Sequence, residues 1–297
     1  MRSVHYAVRH ETLYSYRGEV AHSHQQLHLT PRDSERQRSS AHSILITPQP
    51  VLRVEYVDAF GNRVTRFELD RPHSRLEVIA EMDVSVTPRP QLDLTAGESW
   101  ERVRDRLRYS ARPRAEPWLT AVRFRTESPF VRIKGLFNEF ARDCLTPGAS
   151  VLTVAEALMA KIHREFTYAP GTTEVATPLL EVMAARRGVC QDFAHLMIAC
   201  LRSAGLAARY VSGYLCTTAA PESSGLLGSD ASHAWVAVFA PPFGWVEFDP
   251  TNNLHVGGKH IALACGRDFG DVSPLHGVIL GGDSHELRVR VAVRHLR

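Results

Sequence analysis

Residues 186–205 read Arg186-Arg187-Gly188-Val189-Cys190-Gln191-Asp192-Phe193-Ala194-His195-Leu196-Met197-Ile198-Ala199-Cys200-Leu201-Arg202-Ser203-Ala204-Gly205. Leu196, Met197, Cys200, Leu201 and Ala204 recur at three and four spacing, and Gly205 ends the pattern, so this is an amphipathic helix with Cys190 at or near its first turn. Free amide hydrogens and the positive end of the helix dipole at that place favour thiolate over thiol. Cys190 is therefore the candidate nucleophile. Cys200 lies within the apolar face and is expected to pack.

A thiolate nucleophile needs a base, and the base needs a group to orient it. Downstream, Ser232-His233-Ala234-Trp235-Val236-Ala237-Val238 puts a histidine at the start of an apolar strand. Gly244-Trp245-Val246-Glu247-Phe248-Asp249-Pro250 then puts an aspartate at the end of another, where Pro250 stops the ladder. The connection Ala240-Pro241-Pro242-Phe243 is short enough for an antiparallel pair, which brings His233 and Asp249 together across a hairpin.

The rest of the chain divides by period. From residue 4 to about 87 the alternation is that of half-buried strands: Tyr6, Val8, Thr12, Tyr14 and Tyr16 share one parity, and Leu76, Val78, Ala80, Met82, Val84 and Val86 do so again. Phe60-Gly61-Asn62 sits between two strand-like runs as a tight turn. Residues 1–90 are predicted as an antiparallel β domain, closed by Pro88-Arg89-Pro90-Gln91. Helical spacing follows near 98–109, 129–144 and 152–165, as in Ala155, Leu158, Ile162 and Phe166. Strands are predicted over 207–216, 234–239 and 245–248. Helices followed by strands make 91–270 an α+β unit, and 271–297 a tail with one strand, read from Leu287, Val289, Val291 and Val293.

Composition bounds the function. The chain has 297 residues, 44% hydrophobic and 23% charged, which excludes disorder, collagen and coiled coil. A net charge of +3 is no nucleic-acid footprint. No apolar run reaches the ~20 residues of a membrane span and the first residues lack a signal-peptide core, so neither nucleic acid nor membrane is expected as a partner and the expected location is cytoplasmic. Five cysteines, an odd number, argue against a disulfide framework.

With 15 histidines, spacing alone selects many Cys/His/Asp triples. The local wording of the three pieces is more specific. Gly188-Val189-Cys190, Ser232-His233-Ala234-Trp235-Val236 and Gly244-Trp245-Val246-Glu247-Phe248-Asp249-Pro250, in that order, resemble the core of the transglutaminase-like superfamily of papain-like cysteine enzymes. Ala208-Arg209-Tyr210-Val211-Ser212-Gly213-Tyr214 looks like the strand after the nucleophile helix. Tyr14-Ser15-Tyr16, Leu27-His28-Leu29-Thr30-Pro31-Arg32 and Asp58-Ala59-Phe60-Gly61-Asn62 are similar to the β domain preceding this core in bacterial members. The resemblance implies an α+β papain-like core behind an antiparallel sheet, with Cys190 as nucleophile, His233 as general base and acid, and Asp249 as orienter. It implies attack on the amide bond of a peptide or protein, a thioester, and transfer of the acyl group to water or to an amine, with no cofactor. Hydrolysis is the expected outcome, amine acyl transfer the alternative, and a non-catalytic binding module of the same fold a further one. The Cys190 amide is one oxyanion donor; the Tyr168 hydroxyl, by resemblance, and Gln191, next to the nucleophile, are rival candidates for the second.

Other features weigh less. Asp192 and His195 follow Cys190 by two and five, which does not stack ligands on one helix face, so no metal is expected there and His195 is read as a buried support. His22, His24 and His28 share parity, though a solvated face accounts for them. Cys144, Cys216 and Cys265 show no paired spacing for zinc. Arg102, Arg104, Arg106, Arg108, Arg112 and Arg114 are read as a solvated face. The polar stretch 217–230 is expected as a loop bordering the cleft.

Overall fold

Two sheets account for most of the architecture. In a computed structural model, which describes residues 2–111, 114–216 and 232–296, the alternating N-terminal segment becomes β1 (Val4–Leu27), β2 (Gln37–Thr47), β3 (Leu52–Val57), β4 (Arg63–Leu69) and β5 (His73–Val86). All pair antiparallel in the order β2-β5-β1-β4-β3. Tyr6, Val8, Leu76, Val78, Ala80, Met82, Val84 and Val86 are buried, as their shared parity requires. Gly61 takes φ +78° at the expected turn.

Next come α1 (Trp100–Leu107), α2 (Glu116–Val122), α3 (Gly135–Ala141), α4 (Val151–Glu165), β6 (Thr167–Tyr168), α5 (Leu179–Ala185), β7 (Arg187–Gly188) and α6 (Cys190–Ser203). The helix expected over 129–144 is shorter because outside side chains take its leading amides: Phe130 N–H donates to Asp268 and Ile133 N–H to Glu127. Then follow β8 (Ala208–Leu215), β9 (His233–Phe239), β10 (Trp245–Asp249), β11 (Leu254–His255) and β12 (His260–Gly266), an antiparallel sheet ordered β11-β10-β9-β8-β12. α6 packs on one face of it, over Tyr210, Ala234 and Val236. The stop at Gly205 is as expected, with φ +81°.

The tail differs from expectation. It forms two strands, β13 (Leu275–Gly281) and β14 (His285–Leu296), both antiparallel to β1 in the N-terminal sheet. They are one run broken at Gly282, where β1 has its own irregularity between Ser15 and Val20. A Cβ on Gly18 would lie 2.6 Å from the Asp283 carboxylate, so the two breaks fit only around a glycine.

The N-terminal sheet buries its inner face against Tyr214, Ile261 and Leu263 of β8 and β12. Tyr214 Oη and His10 Nδ1 are 2.9 Å apart inside this seam. Two carboxamides close the outer edge of β12: Asn62 donates to Cys265 O and accepts from Cys265 N–H, and Gln37 does the same with Ala262. Each replaces a missing strand neighbour.

Arg202 ends α6 with its guanidinium buried, donating to the carbonyls of Phe124, Ala208 and Arg267. Replacing it leaves three carbonyls without that donor in a dry site. Arg202→Leu is expected to cost about 3 kcal/mol, seen as a lower urea midpoint with an unchanged m-value; a loss under about 0.5 kcal/mol would show these bonds to be dispensable.

Candidate active site

α6 begins at Cys190, as its sequence predicts, and the cysteine is half-buried while the other four are buried. The approach is held tightly. The Asp192 carboxylate accepts from Val189 N–H at 2.8 Å and from the Thr173 hydroxyl at 2.7 Å. Burial pushes Asp192 above the ordinary carboxylate range, and these two donors pull it back only in part. A Cβ on Gly188 would lie 2.6 Å from Asp192 Oδ2, so the glycine of Gly188-Val189-Cys190 makes room for the carboxylate that fixes the turn. Asp192 thus serves the helix start.

β9 and β10 form the expected hairpin, with Trp245 opposite Phe239 and Phe248 opposite Val236. His233 and Asp249 meet diagonally across it, with His233 Nε2 2.8 Å from Asp249 Oδ2 and both side chains at 0% exposure. Asp249 Oδ1 accepts from Thr251 N–H at 3.0 Å and Asn252 N–H at 3.2 Å. Oδ2 also accepts from Asn252 Nδ2 at 2.8 Å and is 3.2 Å from His260 Nε2. Burial alone would push Asp249 up, but His233 and His260 outweigh it and hold the carboxyl far below its usual range. Burial likewise disfavours the charged imidazole of His233, yet Asp249 and then Cys190 overcome this and raise it. Cys190 is thus near enough to act on His233, while the buried Nδ1 has no hydrogen-bond partner meeting strict geometry among the described residues. Nε2 is committed to the carboxylate, which leaves Nδ1 as the other face of the imidazole.

Tyr168 and Gln191 both lie beside this turn. β6 pairs parallel with β7, Tyr168 opposite Gly188, so the tyrosine is one strand away from the approach to Cys190. The Gln191 amide donates to Val175 O at 3.1 Å and ties residues 173–175 to the helix start.

The remaining readings resolve on contacts. His195 is buried, accepts from Phe269 N–H at 3.1 Å and stacks on Phe130; burial, then Arg202, lowers its pKa to about 3, the neutral support expected of it. His22 and His24 are exposed, whereas His28 lies past the end of β1, buried against His276, so the three share no site. Arg106 stacks 3.8 Å from Trp118 and pairs with Glu98, and Arg104 and Arg108 pair with Asp105, a surface network. Arg112 and the 217–230 loop lie outside the described residues. Burial pushes the Cys144 thiol up to about 11 and Cys200 higher still, as packing residues.

His260 escaped sequence reasoning. It heads an apolar strand that joins the sheet beyond β8, and no local pattern marks it. Among the described residues, His233, Asp249 and His260 are the one group of potential ligands whose donor atoms lie within 4.8 Å of one another. Both histidines point Nε2 at Asp249 Oδ2, the arrangement of a hydrogen-bonded network around a carboxylate. Trp235 lies edge-on to His260, with ring centroids 5.2 Å apart. No helix among the described residues is long and apolar enough to cross a membrane.

Comparison with known proteins places this geometry. The model of the bacterial transglutaminase-like N-terminal region matches residues 6–85, and that of the transglutaminase-like superfamily residues 138–250. An uncharacterized protein of Mycobacterium tuberculosis strain H37Rv is 39% identical over 281 residues, covering 92% of this chain and 87% of that protein. A protein-glutamine gamma-glutamyltransferase of Pseudomonas aeruginosa is 28% identical over 216 residues, 64% of this chain but only 32% of that enzyme. In fold, a candidate cysteine protease from Cytophaga hutchinsonii superposes with a TM-score of 0.76 at 18% identity, over 100% of this chain and 92% of that one.

The pKa directions fix a pH dependence. His233 is raised from 6.5 to about 10, so its pairing stabilises fully below about pH 6.5 and that stabilisation is lost as the pH rises through about 10. Asp249 is depressed from 3.8, so its share is present above that value and lost as the pH falls through the folded one. The stability gap between the native chain and Asp249→Asn is expected to be largest at about pH 4–6.5 and to narrow toward pH 10. Urea midpoints across pH measure it, and a gap constant up to pH 10 would refute the raised imidazole.

Proposed function

Because the chain belongs to the transglutaminase-like superfamily, we propose that it is a cysteine-dependent hydrolase of peptide or protein amide bonds, working through a thioester on Cys190. The observation that carries this reading is the buried His233–Asp249 pair, with His233 Nδ1 not engaged by the carboxylate and Cys190 at the start of α6 near enough to act on the imidazole. In the resting site the thiol proton passes to His233, and Asp249 stabilises the resulting imidazolium. The Cys190 thiolate attacks the amide carbonyl carbon, and the carbonyl oxygen takes the negative charge, facing the amides at the start of α6. As the tetrahedral species collapses, the C–N bond breaks and His233 gives its proton to the departing amine. Water then attacks the thioester, losing a proton to His233 and returning Cys190. Tyr168, beside Gly188, is the side chain assigned here as second oxyanion donor; Gln191, whose amide already bonds Val175 O, is the rival.

Likeness to the Pseudomonas aeruginosa glutamyltransferase supports a second reading, in which an amine replaces water at the thioester. The first half-reaction is shared, so the acceptor decides.

Mass spectrometry of peptide mixtures incubated with the chain, with and without a dansyl-labelled alkylamine, separates these. Cleaved peptides are expected without the amine; labelled peptides in its presence would instead favour acyl transfer. Cys190→Ala is expected to abolish both, and Asp249→Asn to lower kcat on the order of 10⁴-fold, the scale known for the aspartate of serine triads. Brief exposure to iodoacetamide should modify Cys190 ahead of the four buried thiols. Equal labelling of all five, or turnover that survives Cys190→Ala, would sink the assignment.

A further inference from the structure

On the face of the β11-β10-β9-β8-β12 sheet turned away from α6 lies a cleft of about 530 Å³. Its floor is Val211, Trp235, Trp245 and Glu247; its other wall is the edge of the N-terminal sheet, with Arg36, Val86 and Arg89. Cys190 is not among its walls, but His260 is, and His260 bonds Asp249.

The cleft is unbalanced in charge. Arg32, Arg36, Arg89 and Arg209 line it against the carboxylates of Glu35 and Glu247. Arg32 is spent on Phe60 O and Asn62 Oδ1. Glu247 is engaged by Arg36 at 3.4 Å and by Trp235 Nε1 at 3.4 Å, and Glu35 is exposed. Arg89 and Arg209 are left half-buried without an ion pair among the described residues. Arg89 Nη2 donates to Trp245 O at 2.9 Å, and the Arg209 guanidinium lies 4.3 Å over the Trp245 ring. These contacts hold both groups in place, yet the Nε atom of each is buried with no hydrogen-bond partner. Burial, then the like charge of Arg36, pushes Arg89 below its ordinary value, with Glu247 and Glu35 only partly offsetting this.

Arg89 Nη1 and the two Nη groups of Arg209 have no hydrogen bond among the described residues, and two oriented guanidinium groups with such donors left over in one cleft match an anion that presents pairs of oxygens. The volume falls in the range of small-molecule sites, roughly 300–1,000 Å³. We propose that this cleft binds a small polyvalent anion carrying phosphate or carboxylate groups, held chiefly by Arg89 and Arg209. The ligand lies on the far side of His260 from the triad, so the site is separate from acyl transfer and its occupancy does not depend on Cys190.

Calorimetric titration of the full chain with pyrophosphate and with citrate, at ionic strength held constant with sodium chloride, tests this. Saturable binding of at least one anion is expected, weakened about tenfold or more in Arg89→Gln and in Arg209→Gln. It should be unchanged in Cys190→Ala and in Arg290→Gln, an exposed arginine of β14. Pyrophosphate alone would identify a phosphate site and citrate alone a carboxylate site. Should a glutamine variant fail to fold by circular dichroism, Arg89→Lys and Arg209→Lys keep the charge without the fork and are expected to weaken binding less. No saturable binding of either anion, or binding equal in the native chain and in both substituted arginine positions, overturns the proposal.

Discussion

A carboxylate with no exposure to solvent has to be kept ionised, and the site is built around meeting that demand at Asp249. Removing a carboxylate from water costs several kcal/mol unless donors replace the lost hydration. Here the replacements are the amides of Thr251 and Asn252, the Asn252 side chain, His233 and His260. They come from the turn after β10, the start of β9 and the start of β12. One side chain therefore ties the hairpin, its exit turn and a strand on the far side of β8 into a single electrostatic unit.

That unit orients the imidazole, while a separate one presents the sulfur. Gly188, Asp192 and Thr173 set the first turn of α6 by packing and hydrogen bonding, and none of them touches Asp249. The two halves meet where α6 packs over Ala234 and Val236 of β9, with Cys190 near the His233 imidazole. The sulfur is borne on a helix start and the imidazole on a sheet, so their separation is set by how α6 seats over Ala234 and Val236.

How much of this the sequence discloses depends on range. Period two in residues 4–16 and 76–86, and the apolar face after Cys190, are local, and they mark β1, β5 and α6 plainly. Cys190, His233 and Asp249 were legible because each sits in distinctive local wording at the end of a periodic element. α2 and α5, seven residues each, are too short to show a period. His260 owes its place to β12 crossing to the outside of β8, and Arg89 and Arg209 line one cleft only because two sheets share a seam. Contacts of that kind depend on topology, and a single sequence carries no local trace of them. The tail shows the same limit: its alternation announced a strand, but not that 275–296 would run along β1 in two pieces.

The carboxamides of Gln37 and Asn62 on β12 have a further consequence. With Ala262 and Cys265 already paired to side chains, that edge offers no free ladder for another chain to join. The opposite edge is also closed: β11 is two residues long, Glu247 O accepts from Val256 N–H, and Trp245 O accepts from Arg89. Among the described residues, strand addition, in which an extended polypeptide is gripped by its backbone at a sheet edge, is thus foreclosed on the sheet that carries His233 and Asp249. A polypeptide lying against this sheet therefore has to be held by contacts other than ladder bonds at these two edges.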